Sequence, residues 1–238
     1  MLFTVVEPHK GHEVAYNRWY ERDHFYAGCM IGPGILAGKR WVATRDYKAL
    51  RFPSDSPITK GSYLATYFIE ADQSREWGAW AAKQVHALHK ADRMFAERDH
   101  VHTKMYRYEW GAFRDADGVP PELALDHGFA GVAALICEAP ERDAALANAR
   151  GTVSLDGTAA AMCLAFTPVP IPDDAPADVP RVPDDAHRFL MLYFLDSDPI
   201  DAWEDIASHA KALDADVVWA SPFIPTIPGT DTYTDQLW

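Results

Sequence analysis

Residues 63–83, YLATYFIEADQSREWGAWAAK, and residues 189–209, FLMLYFLDSDPIDAWEDIASH, align without a gap. Leu64, Tyr67, Phe68, Asp72, Trp77 and Ala81 fall on Leu190, Tyr193, Phe194, Asp198, Trp203 and Ala207, each pair 126 positions apart. Each copy opens on a run of aromatic and aliphatic residues, passes an acidic cluster, and continues with apolar residues at helical spacing. The pattern reads as strand, turn, helix. Asp72, Ser74 and Asp198 stand where a carboxylate or hydroxyl satisfies free N–H groups of a first helical turn. Two copies point to duplication and are too few for a solenoid.

The remaining segments arrange themselves around this unit. The first half is expected to run strand 2–7, helix 12–26, strand 36–45, strand 62–70, helix 74–92 and strand 101–112. For the second, strand 130–138, helix 141–149, strand 159–167, strand 187–195, helix 200–213 and strand 217–223 are expected. That order is βαββαβ twice, so the expected fold class is α+β, with two ferredoxin-like repeats forming a pseudo-dimer within one chain. The first repeat would cover residues 1–113 and carry the site, the second residues 129–224. Residues 225–238 would form a tail packed on the body through Leu237 and Trp238. The stretch 114–128 has linker character, and the Pro- and Asp-rich stretch 168–185 reads as a solvent-facing loop.

In YLATYFI both faces of the strand are apolar, so the sheet face without helices must also be covered. Two sheets that meet face to face and close into a barrel would cover it and enclose a cavity.

The stretch YNRWYERDHFYAGCMIGPGILAGKRWVA resembles the motif of the dimeric α/β-barrel superfamily, especially its EthD-like members. The matching positions are Asn17, Trp19, Tyr20, His24, Pro33, Gly34 and Arg40. The family pattern often has a proline soon after the histidine, whereas Phe25 and Tyr26 follow His24 here. The resemblance covers the first half and implies a single-chain version of a barrel that relatives build from two chains. It also implies a histidine facing the barrel mouth.

Residues three and four apart share a helix face. Tyr16, Trp19, Tyr20 and Asp23 therefore form one stripe, read as the face packed on the sheet, and Asn17, Glu21 and His24 form a strip beside it. Imidazole titrates near neutral pH and a neighbouring carboxylate supports its charged form, so His24 is the expected acid/base and Glu21 its partner. Tyr20 and Tyr16 offer phenol donors for developing negative charge. Asn17, Trp19, Tyr67 and Arg40 complete the expected substrate contacts, Arg40 as a holder of a carboxylate. The competing reading is an ordinary amphipathic helix, with core tyrosines and a solvated polar edge. The second half's first helix, ERDAALANAR, has neither Trp-Tyr nor His, so one site is expected, with the second half as wall and lid.

His86 and His89, and His100 and His102, share faces at helical and strand spacing, which raises a metal or haem site, the haem part by analogy with chlorite dismutase. His-Glu-x-x-His, Cys-x-x-Cys and phosphate-cradling glycine patterns are absent, and no cofactor is expected. A net charge of −13 disfavours nucleic acid and anionic membranes. Cys29, Cys137 and Cys163 have no metal-type spacing, and their odd count cannot form a complete disulfide framework, which fits a reducing cytoplasm. MLFTVVEPHKG reads as a first strand rather than a leader.

These features lead to a cofactor-independent lyase, isomerase or cyclase that moves protons on a small aromatic or polyketide-like carbonyl or carboxylic substrate, with decarboxylation within reach. One alternative is a hydrophobic-ligand-binding or stress-associated barrel without catalysis, and another a haem-binding protein or cofactor-free oxygenase of the same fold. A homodimer of barrels is compatible with all of these.

Overall fold

The computed structural model describes residues 1–170 and 185–238; most of the loop expected at 168–185 lies outside the described residues. The strands are β1 (Leu2–Pro8), β2 (Ile35–Val42), β3 (Tyr63–Ile69), β4 (Arg98–Phe113), β5 (Gly131–Glu138), β6 (Ala160–Pro168), β7 (Arg188–Leu195) and β8 (Asp216–Pro225). Helices α1 (Glu13–Trp19), α2 (Arg45–Lys48), α3 (Ser74–Lys90), α4 (Arg142–Thr152) and α5 (Pro199–Ala212) connect them.

All eight strands join in one closed antiparallel barrel in the order β1-β3-β2-β8-β5-β7-β6-β4. This corrects the expectation of two ferredoxin-like α+β repeats paired as a pseudo-dimer. The cause is legible in β4, whose first part, Arg98–Met105, pairs with β1 while its second part, Tyr106–Phe113, pairs with β6. One strand thus belongs to both halves. On the other side β2 meets β8 through Trp41 opposite Pro225 and Val42 opposite Ile224. Closure removes the edges that two separate sheets would leave unpaired.

The alternation of each strand divides its side chains between the barrel interior and an outer layer under the helices. Every residue of β3 is buried. Leu64, Thr66 and Phe68 face inward, where Trp41 donates to Thr66 Oγ1 and Phe68 lies 6.4 Å from Phe166. Tyr63 and Tyr67 face outward beneath the first helix, where Tyr16 and Phe25 meet them. Contacts across the interior join the halves: Trp41 meets Phe194 at 6.3 Å and Phe3 meets Trp219 at 6.5 Å. A second apolar cluster, including Leu135, Phe189, Leu146 and Ile206, fills the layer beneath α4 and α5.

The helix expected over 12–26 is α-helical only to Trp19, then continues as a π-helix over Tyr20–Met30. Tyr20, Phe25 and Met30 explain this local choice. They are five residues apart, and all three turn to the sheet, Tyr20 and Phe25 against Tyr67 and Met30 against Gly38. An i to i+5 repeat keeps them on one side, as a 3.6-residue repeat would not.

Candidate functional site

The eight residues expected to do chemistry lie together on and beneath this first helix, against the outer face of β2 and β3. Arg40 is at the centre of this layer. Arg40 is 6% exposed, and its Nη1 donates to Asn17 Oδ1 at 2.9 Å and to Glu21 Oε1 at 3.1 Å. Its Cζ lies over the rings of Tyr20 and Tyr63, 4.6 and 5.1 Å from their centres. Such a place over aromatic faces suits a weakly hydrated cation. Nη2, however, is buried with no hydrogen-bond partner, and so is the hydroxyl of Tyr63.

The segment after β8 closes the layer from above. Asn17 donates to the carbonyl of Thr230 at 2.9 Å, the Gly229 N–H donates to Glu21 Oε2 at 2.9 Å, and the Thr226 N–H donates to the carbonyl of Arg40 at 3.1 Å. Arg18 pairs with Asp231, and Leu237 is fully buried. Glu21 is therefore occupied by Arg40 and Gly229.

Below the helix, Tyr20 Oη and Tyr67 Oη are 2.9 Å apart, beside the buried thiol of Cys29. Burial pushes the Cys29 thiol up to about 12, the Tyr16 phenol also to about 12, and Tyr20 and Tyr67 well above the ordinary phenol range. All four are protonated at neutral pH.

His24 lies at the other side of Tyr20. Its ring stacks on Trp19 with centroids 4.6 Å apart and stands edge-on to Tyr20 at 5.2 Å. Gly28 makes room for it, since a Cβ there would lie 2.6 Å from His24 Cε1. Tyr20 thus touches both Arg40 and His24. Trp19 is held in turn by Phe95, stacked at 5.6 Å, and by its indole N–H donating to the carbonyl of Arg93 at 2.8 Å.

Tyr63 and Cys29 were missed from the sequence. A signal for Tyr63 was present, because the period of two in YLATYFI puts it on the same face as Tyr67. The inward-facing trio His102, Lys104 and Tyr106 was also missed, His102 having been weighed only beside His100. Within the barrel His102 Nε2 is 3.0 Å from Tyr106 Oη, and burial holds the imidazole down to about 3. His86 and His89 are exposed on α3. Among the described residues no group of three His, Cys, Asp or Glu side chains is placed to hold a metal ion, and no helix is long and apolar enough to cross a membrane. A cavity of about 100 Å³ opens at the barrel end near Phe113, His127, Phe129 and Met162; none of the expected site residues lines it.

Neither a protein-family model nor a curated protein sequence matches this chain. Among solved structures it is similar to a crystal structure of an anthrone oxidase-like protein. The TM-score is 0.54 at 7% sequence identity, over 97% of this chain and 93% of that one. At that identity the likeness speaks for the barrel fold alone.

Proposed function

We propose that the layer around Arg40 is the site of a cofactor-independent enzyme that moves protons on a small aromatic or polyketide-like carbonyl compound. The observation that carries this reading is the pair of unpartnered donors, Arg40 Nη2 and Tyr63 Oη, on adjoining buried groups. A buried donor left unpaired costs roughly 1–3 kcal/mol, more when charged. Groups aimed at an oxygen that gains negative charge offset that cost when the substrate binds. His24 is the base that takes a proton from the carbon next to the carbonyl, leaving an enolate whose oxygen rests on Arg40 and Tyr63. Return of the proton at another position completes an isomerisation, and loss of carbon dioxide from a β-keto acid passes through the same enolate. Tyr20 lies between base and cation. Asn17 and Glu21 hold the guanidinium in place, and Tyr16, Trp19 and Tyr67 supply aromatic wall. The resemblance of the first half to EthD-like barrels supports the same assignment.

A second reading, cofactor-free oxygenation, is favoured by the name of the structural neighbour, an anthrone oxidase-like protein. It begins with the same proton removal, after which the carbanion passes electrons to dioxygen. The test is turnover of a panel of enolisable aromatic ketones, anthrone included, with and without oxygen. His24→Ala is expected to lower the rate by about 10²–10⁴. Unchanged turnover in that variant would remove His24 from the chemistry, and oxygen dependence would select the second reading.

A further inference from the structure

The barrel interior is apolar through its middle and polar at the end where β1 and β5 finish. Three successive inward positions of β4 are His102, Lys104 and Tyr106, none more than 5% exposed. Their direction is fixed by pairing, since Phe3 lies opposite Lys104 and Val5 opposite His102. Phe3 stands edge-on to His102, Tyr106 and Trp219, at 5.9, 6.0 and 6.5 Å, so the four rings form one wall. Trp219 is fully buried, yet its indole N–H has no hydrogen-bond partner. A lysine is almost never buried so deeply unless paired, and Lys104 pairs with Asp185 at the rim. Beside it Arg188 donates to Glu138 at 2.7 Å, and Glu138 is 43% exposed.

We propose that this end of the barrel is a second ligand site and that it takes a small aromatic carboxylate. The ligand's carboxylate replaces Asp185 and Glu138 as the partner of Lys104 and Arg188, its ring lies against Phe3, and the Trp219 N–H gains an acceptor. Three features select this class. Lys104 and Arg188 are donors whose carboxylate partners are exchangeable at the rim, and the Trp219 N–H has no acceptor, which calls for an anion. The wall is aromatic, which calls for a flat apolar body. The displaced Glu138 carboxylate is free to turn to water, which lowers the cost of exchange. On the same end Lys48 and the buried Arg51 face the single carboxylate of Glu7. The site is separate from the layer around Arg40, which lies outside the barrel wall.

The experiment is a fluorine NMR titration of the full chain with 4-fluorobenzoate at pH 7. Saturable binding is expected, weakened at least tenfold in Lys104→Met and several-fold in the conservative Trp219→Phe, but unchanged in Arg40→Met. Because Lys104→Met strands Asp185, the double variant Lys104→Met/Asp185→Asn is measured as well and is expected to show the same loss. Absence of saturable binding would overturn the proposal, as would binding that survives in the double variant or disappears in Arg40→Met. Equal competition by inorganic phosphate would overturn the aromatic part.

Discussion

At the scale of single residues, the chain spends its buried polar groups unevenly. Most are tied, as Arg51 is by Ser221, Thr59 and Gly61. A few are not, and these mark the places where chemistry is worth testing. His102 makes a prediction of its own. In the folded chain its imidazole refuses a proton until about pH 3, whereas the unfolded chain accepts one near 6.5. The unfolded state therefore binds more protons between those limits. The stability due to this group is complete above pH 6.5 and falls as pH drops toward 3, by up to about 1.4 kcal/mol per pH unit. Denaturant melts of the wild type and His102→Gln from pH 7 to 4 check this. The wild type is expected to lose stability more steeply, and parallel curves would show that His102 does not titrate against folding.

At the scale of elements, the first helix shows what a sequence pattern does and does not specify. Helical spacing correctly brought Asn17 and Glu21 to one side, where both reach Arg40. Beyond Trp19 the 3.6-residue rule lost its hold. His24 turns toward Trp19 and Tyr20, and Asp23 pairs with Arg93. The wider turn is set by how Tyr20, Phe25 and Met30 dock on β2 and β3, a tertiary fact that no local period contains. Two glycines in or just after this element separate packing from function. Alanine at Gly28 comes closest to the far end of the His24 ring, whereas alanine at Gly32 meets the rings of Trp77 at 2.6 Å and Trp80 at 2.7 Å. Gly32→Ala is expected to cost about 1–3 kcal/mol in thermal or denaturant unfolding. Gly28→Ala should unfold nearly as the wild type does but turn His24 out of place, and full activity in it would argue against the role given to that ring.

At the scale of the whole molecule, the strand segments were legible because each combines an apolar run with turn residues at its ends. How they close was not. A strand of the length of β4 can serve two neighbours in turn, and only the three-dimensional register says that it does. The site was legible in part for the same reason: residues on one helix face could be grouped, while Arg40 beside Tyr63 depends on β2 pairing with β3. Closure also creates an uneven ring. The β4–β6 seam joins seven residue pairs, the β2–β8 seam two. Amide hydrogen exchange is expected to be faster at Val42 and Ile224 than at Gly111 and Leu164, since local opening begins where fewer ladder bonds resist it. Equal protection would mean that the barrel opens as one unit.

The central claim is that Arg40 and Tyr63 hold an enolate oxygen formed by proton removal at a neighbouring carbon. Its most direct measurement is the exchange of the α-protons of the panel's enolisable aromatic ketones for deuterium in D₂O without oxygen, followed by proton NMR. The wild type should accelerate exchange over buffer, and Arg40→Met and Tyr63→Phe should each cut the acceleration by about 10²–10³ while leaving the fold intact by circular dichroism. An acceleration that is absent in the wild type, or undiminished in both variants, would contradict the claim.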